Sequence, residues 1–481
     1  MKHKPLPIGV EDFKRLVDNE YYFVDKTPMI KELLENKETV NLFTRPRRFG
    51  KTLNMSMLQR FFEATEKSNA YLFDGLKIAA YPEHMAYQGK YPVISISLKS
   101  MKRASYQEAY FEYVKLLSDE FERHEIILQS DAVSEEDKLE FQKIKKRIAE
   151  PKEYNSAVKL LSKCLQKVYQ KNVIILIDEY DVPLENAYHE GFYDDMTNLI
   201  RSCFESALKT NPSLEFAVLT GCLRVSRESI FTGLNNLKTY SITKNKFSQY
   251  FGFTQEEMKE ILQAFSLEQY AGTIAKWYDG YRFGKADVYC PWDVLNYCRD
   301  LLKDEQAQPK NYWLNTSGND VIEHFIDSVN GQQTLTKIEL ERLISGEIVQ
   351  KEINEFITYK ELYNTSENLW STLFMTGYLT QRGKADGNRY NLVIPNREVR
   401  NIITEHILVK FRQDIKKDGQ MVQRFCQALA NGQAQQVEQI FATYMSKTVS
   451  VRDTFVRKAI RENFYHGILL GILSFKDGWT V

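Results

Sequence analysis

Thr44-Arg45-Pro46-Arg47-Arg48-Phe49-Gly50-Lys51-Thr52 directly follows a largely apolar run at 40–43, and its last three residues decide how the rest of the chain reads. A glycine, a lysine and a hydroxyl at the point where a strand gives way to a helix can supply backbone amides, one cation and one metal ligand to a phosphate chain. About 120 residues on comes Val173-Ile174-Ile175-Leu176-Ile177-Asp178-Glu179, a buried-strand pattern ending in two carboxylates. Phosphate binding needs the first stretch; a metal and an activated water need the second. By chance, the lysine triplet alone would turn up in roughly one of four chains this long, and five apolar residues followed by Asp-Glu in about one of a hundred. The ordered pair therefore carries the reading, a nucleoside-triphosphate site. The first glycine of the usual Gly-x-x-x-x-Gly-Lys-Thr pattern is Arg45 here, so the phosphate loop is a variant one.

Outward from these stretches, the first 240 residues alternate strand-like and helix-like segments. Segments 40–44, 91–98, 173–177 and 215–220 read as strands, and 51–63, 106–128, 154–169 and 192–209 as helices. Such alternation predicts an α/β fold with a doubly wound parallel sheet of the P-loop NTPase kind. The stretch 130–152, dense in Glu and Lys, reads as a solvated helical insertion. Beyond about residue 245 the pattern changes. Thr254 and Glu257 form a capping-box signature, 278–284 is an aromatic, glycine-punctuated turn, 369–379 runs from helix to turn, and 390–396 reads as a strand ahead of a helix at 398–409. We expect a P-loop ATPase domain at 1–245, a mostly helical lid at 246–330, a winged-helix-like module at 331–410 and a helical C-terminal segment at 411–481.

The 64 basic and 64 acidic residues cancel, so no global field draws the 481-residue chain to nucleic acid or membranes. There is no run of 18 apolar residues and no signal-peptide pattern at the start, which makes the cytoplasm the expected compartment. Six scattered cysteines and seven histidines form no zinc or disulfide pattern.

The candidate site residues divide by chemistry. Arg47, Arg48, Phe49, Gly50, Lys51 and Thr52 bind the phosphates, with Lys51 on the β- and γ-phosphates. Thr52 places its hydroxyl on Mg2+ and Asp178 holds the ion through water, while Glu179 orients and deprotonates the attacking water. Thr220, ending a strand, is placed to sense the γ-phosphate, unless it is a plain strand terminus. Arg224, and Arg227 beside it, would stabilise transition-state charge or serve in structural ion pairs. Asp181 either aims at the site or caps the next element. Arg47 and Arg48 have solvated charge as their alternative, and the aromatics at 278–284 fit core and turn better than a base-stacking platform.

With these residues the chain resembles the bacterial AAA-ATPase-like family, whose members often carry a C-terminal PD-(D/E)XK nuclease domain. Pro7-Ile8-Gly9 with Asp12-Phe13, Tyr22 to Thr27, Arg45 to Thr52 and Ile177 to Asp181 carry the likeness first. Thr220 to Ser226, Trp277 to Gly284 with Tyr289 to Trp292, Tyr312 to Gly318 and Phe374 to Leu379 extend it nearly end to end. The arginine in place of the first glycine is shared with the family. Asp25 and Lys26 enter only through this resemblance. The resemblance also implies that Phe464-Tyr465-His466-Gly467-Ile468-Leu469-Leu470-Gly471 opens a nuclease-like domain cut short at Val481, so nuclease activity is not expected.

The leading expectation is an ATP-binding, Mg2+-dependent ATPase that couples hydrolysis to a conformational change. Competing readings are an ATP-switched regulator that binds DNA or RNA, a remnant of an ATPase–nuclease, and a non-hydrolysing scaffold. The intact acid pair argues against the scaffold, and the neutral net charge gives the regulator little support. ATP is the default over GTP because no Asn-Lys-x-Asp occurs, and self-association stays open.

Overall fold

The computed structural model describes residues 3–223, 230–231, 234–313, 322, 339–340, 342–362, 365–383, 386–417 and 419–440. Five parallel strands form the central sheet: β1 (Val40–Thr44), β2 (Val93–Ser97), β3 (Val173–Asp178), β4 (Leu214–Gly221) and β5 (Leu237–Tyr240), in the order β2-β3-β4-β1-β5. β1 and β3 are buried at every residue, as unbroken apolar runs are when helices cover both faces of a parallel sheet. The edge strand β5, only four residues long, is an element the sequence pattern did not reveal.

This strand order fixes the site. Because β3, β4 and β1 are neighbours and all run the same way, their C-terminal ends emerge together. Thr44 lies level with Gly221, and Ile177 with Leu219. The helix Lys51–Phe62 leaves from the end of β1 and buries Met55, Leu58, Phe61 and Phe62, at the three- and four-residue spacing of an inward face.

The insertion at 130–152 is less solvated than expected. Its helix Glu135–Lys145 starts at Ser134, which accepts from the Asp137 amide, and buries Phe141 and Ile144 against the preceding long helix. The Phe121 and Phe141 rings lie 4.8 Å apart. Most of its charge lies on the outer face, while Asp137 is buried and paired with Lys163 and Lys167.

After the sheet, the helices Gln255–Phe265, Ala271–Tyr278 and Pro291–Lys303 build a small core of their own around Ile261, Ile274, Tyr278 and Val294. The expected capping box is present: Thr254 Oγ1 accepts from the Glu257 amide at 3.3 Å, and the Thr254 amide donates to Glu257 Oε2 at 2.8 Å. A three-stranded antiparallel sheet of β6 (Phe253–Thr254), β7 (Tyr281–Phe283) and β8 (Ala286–Tyr289) accompanies these helices. Tyr278, Tyr281 and Phe283 are buried there, so the aromatic turn is core and turn, not an open platform.

A second antiparallel sheet, β10 (Thr380–Gln381), β11 (Arg389–Val393) and β9 (Val349–Glu352) in that order, combines with the helices Ser366–Thr376 and Arg397–Lys417. Strand, helix, then a two-stranded wing is the winged-helix-like order the sequence suggested. This module docks on the rest through close backbone approaches that only glycine allows. A Cβ on Gly280 (φ +99°) would lie 2.1 Å from the Pro395 carbonyl oxygen, and one on Gly377 (φ +93°) would lie 3.0 Å from Pro46 in the phosphate loop. Residues 441–481, which include the expected start of a nuclease-like domain, lie outside the described residues.

Two fully buried acids, Asp293 of the helix Pro291–Lys303 and Glu398 of the helix Arg397–Lys417, meet where the C-terminal module joins the lid. Burial first, and for Glu398 the adjacent Asp293 charge next, holds both above ordinary carboxylate values. A proton shared between them lets one carboxyl donate to the other. Raised folded-state values mean that the native state binds protons more tightly than the unfolded one. The contribution to stability is therefore complete at acid pH, below the unfolded values, and is lost as pH rises through the folded ones. Glu398→Gln keeps an acceptor for the Trp313 amide, now bonded to Glu398 Oε1 at 2.8 Å, and gives Asp293 a permanent donor. Between about pH 5 and about pH 9 the melting temperature of this variant should fall less than the parent's. Parallel melting curves across that range would show that the pair does not share a proton.

Candidate nucleotide site

The loop between β1 and its helix turns through two left-handed residues, Arg48 (φ 72°) and Gly50 (φ 83°). Arg45, where a glycine is usual, is wholly buried. Its amide donates to the Gly221 carbonyl at 3.0 Å and its Nη1 to the carbonyls of Thr44 (2.8 Å) and Tyr240 (2.6 Å), so one side chain ties β1 and β5 together and its amide reaches β4. The guanidinium lies 4.8 Å from the Phe251 ring centroid and 5.4 Å from that of Phe283. Among the described residues no carboxylate offsets its burial, which pushes its pKa down to about 9.

Lys51 is buried and donates to the carbonyls of Arg45 and Pro46, both at 2.9 Å. Thr52 Oγ1 donates to Asp178 Oδ2 at 2.7 Å, and the Thr220 hydroxyl donates to the other oxygen, Asp178 Oδ1. One carboxylate at the end of β3 thus joins the hydroxyl that follows the phosphate loop to the hydroxyl that ends β4. Thr220 bonds Asp178 in this arrangement, a contact that neither of the roles read from the sequence, γ-phosphate sensor or plain strand terminus, included.

Glu179 follows with a left-handed backbone (φ 52°), which is uncommon for a non-glycine residue and is often met at functional sites. Burial, reinforced by the Asp178 charge, raises its pKa above the ordinary value and makes it a better base. Asp181 points elsewhere. Its Oδ2 accepts from the amides of Cys222 (2.7 Å) and Leu223 (2.9 Å), which fixes the turn after β4.

The other arginines are engaged. Arg47 Nη2 bonds Glu185 Oε2 at 2.6 Å, and Arg48 sits 4.3 Å from the Trp292 ring centroid. The ring of Phe49 is enclosed by Tyr281 and Phe283, with centroids 5.0 Å from each, so its backbone is the part available to a phosphate. Arg224 and Arg227 lie outside the described residues.

These groups open onto a cavity of about 400 Å3 whose lining includes Gly50, Lys51, Thr52 and Glu179. Its far wall is apolar and comes from Ile8 and Val10 of the N-terminal segment, Tyr22 to Val24, Phe253, and Trp292 with Leu295. Spacing alone assigned no role to the N-terminal residues; the only signal was their place in the family motifs. Asp25 and Lys26 brace this wall. Asp25 accepts from the Thr27 amide and hydroxyl and from the Lys77 amide, while buried Lys26 donates to Glu257 at 2.6 Å and to the Gln249 carbonyl at 2.8 Å. Because Glu257 is also the capping-box acid, a single contact fixes the N-terminal wall to the first lid helix.

Residues 7–231 match the model of a family described as predicted AAA-ATPase. Over this segment, just under half of the chain, the protein is similar to the AAA-ATPase-like family. A curated relative, an uncharacterized protein in the vnfD 5′ region of Azotobacter chroococcum mcd 1, is 25% identical over 417 residues, covering 85% of this chain and 71% of that one. The AAA-ATPase-like segment contains the phosphate loop, Asp178, Glu179 and Thr220, and the relative's match is long enough to reach into the lid and beyond. Among the described residues no helix is long and apolar enough to cross a membrane.

Lys26→Met should cost about 2–3 kcal/mol, because the part-buried Glu257 loses its ammonium partner and, among the described residues, keeps only the Thr254 amide. Adding Glu257→Gln should recover part of that loss in chemical denaturation. A single variant as stable as the parent would mean the ion pair does not brace the wall.

Proposed function

We propose that the chain is a magnesium-dependent ATPase, with ATP lodged between the phosphate loop and the wall made by the N-terminal segment and the lid. The observation that carries this reading is the junction of Thr52, Asp178 and Thr220 at one end of three adjacent parallel strands, with Lys51 and Glu179 on the same cavity. Similarity to a predicted AAA-ATPase family supports nucleotide binding at a coarser level.

Thr52 and Asp178 fit a magnesium ion. A hydroxyl and a carboxylate already lie within hydrogen-bond reach of each other, and Mg2+ usually takes only one or two carboxylates besides phosphate oxygens and water. The ion would neutralise charge on the phosphates. Lys51 would exchange its two carbonyl partners for phosphate oxygens, and Gly50 would let the backbone amides approach. Glu179 would take the proton of the attacking water. Arg48 stacked on Trp292, and Pro46 pressed on Gly377, give the loop a contact with the lid and with the C-terminal module. We infer that hydrolysis reaches both modules through these contacts. Adenine is the favoured base because the chain has no guanine-reading Asn-Lys-x-Asp.

Lys51→Ala should abolish tight ATP binding in calorimetry while leaving a folded protein. An unchanged affinity would remove the loop from the site. Glu179→Gln should bind ATP as the parent does yet turn it over about two to four orders of magnitude more slowly. Hydrolysis at the parent rate would exclude Glu179 as the base.

A further inference from the structure

A second cavity, about 780 Å3, lies between the lid helix Ala271–Tyr278 and the start of the helix Arg397–Lys417. Four cations from three elements line it: Lys276 from the lid, Arg382 from the wing, and Arg397 and Arg400 from the C-terminal helix. Among the described residues none of the four has a carboxylate at ion-pair distance, whereas the nearby Arg342, Lys351 and Arg389 each have one. Among the described residues Asp279 is the one acid on the lining; its Oδ2 accepts from Gln255 at 2.9 Å and its Oδ1 has no hydrogen-bond partner, so one negative charge faces the four cations.

The arrangement is unfavourable as it stands. Arg397 and Arg400 are three positions apart, so they share a helix face and repel. They also occupy the first turn of their helix, where the macrodipole is positive and cations are disfavoured. Glu398, the acid in that turn, is buried against Asp293 and cannot offset them. Arg400 is half-buried, its Nε is enclosed with no acceptor among the described residues, and both burial and the Arg397 charge depress its pKa. Arg397 is held in place over the Trp277 ring at 4.9 Å. An anion in the cavity would relieve the mutual repulsion, the clash with the macrodipole and the unpaired Nε together. Asn401 on the same lining adds a neutral amide donor suited to anionic oxygens, whereas the Thr404 hydroxyl is spent on the Arg400 carbonyl at 2.9 Å.

We propose that this cavity is an anion site that binds phosphate groups, supplied either by the backbone of a nucleic-acid strand or by a free polyphosphate. Guanidinium pairs matched to phosphate oxygens are the usual means of such recognition. The site stands apart from the ATP cavity and does not depend on hydrolysis there.

The test uses the full chain carrying Lys51→Ala, so that no probe is captured by the phosphate loop. A fluorescent single-stranded 20-mer, the matching duplex and inorganic pyrophosphate are titrated in low salt, and the titrations are repeated with Arg397→Glu/Arg400→Glu added. Affinity for at least one probe should fall tenfold or more, and for an oligonucleotide the slope of log affinity against log salt should shrink by about two. Loss confined to the oligonucleotides assigns the phosphates to nucleic acid, and loss confined to pyrophosphate assigns them to a free polyphosphate. Lys276→Glu/Arg382→Glu, on two other elements and at exposed positions, should reproduce the loss if the first pair harms folding. No binding of any probe by the Lys51→Ala chain, or equal binding by both charge-reversed proteins, overturns the proposal.

Discussion

One carboxylate holds the site together. Asp178 receives the hydroxyls of Thr52 and Thr220, and it can do so because β3 lies beside β4 and β4 beside β1, all parallel and in register. A different strand order, or an antiparallel neighbour, would send these three ends to different edges of the sheet. The contact also fixes Glu179, since the residue after Asp178 has to turn at once, and it does so in a left-handed conformation with Tyr180 bonded to the Thr220 carbonyl at 3.0 Å. Asp178, the two hydroxyls and Glu179 are thus set by backbone geometry before any nucleotide is considered.

The variant phosphate loop has a physical account of its own. A glycine where Arg45 stands would free the backbone, whereas arginine anchors it. Its guanidinium spans the carbonyls of Thr44 and Tyr240 and lies against the Phe251 and Phe283 rings, so the loop is tied to the edge strand and to the aromatic floor beneath the lid. Desolvating a guanidinium with no carboxylate is costly, and the cation–π contacts offset part of that cost. The left-handed turns then fall at Arg48 and Gly50, farther along the loop, leaving Lys51 at the start of its helix.

The sequence made the central fold legible where composition and spacing reinforce each other. Two buried strands were readable, the one ending in the acid pair because an unbroken, largely β-branched run has few other fates and the one ending in the loop because a mostly apolar run leads into Gly-Lys-Thr. The capping box at Thr254 was readable because its chemistry is local. β5 was not, since four residues carry too little alternation, and the insertion at 130–152 read as solvated because its charged outer face outweighs Phe141 and Ile144 in composition. The wall of the cavity was also hidden. Ile8, Tyr22 and Trp292 are far apart in sequence and meet only through long-range contacts such as Lys26 with Glu257, which no local pattern encodes. Likewise, Thr220 could be placed at the end of a strand, but its bond to Asp178 depends on strand order.

The most direct test is a crystal structure with a non-hydrolysable ATP analogue and Mn2+, read by anomalous scattering. The account predicts one manganese peak on the Thr52 hydroxyl oxygen, with the Asp178 carboxylate reaching it through water and the base against the wall of Ile8, Tyr22 and Phe253. An analogue bound elsewhere, or a manganese peak away from Thr52 and Asp178 beside a bound nucleotide, would contradict it.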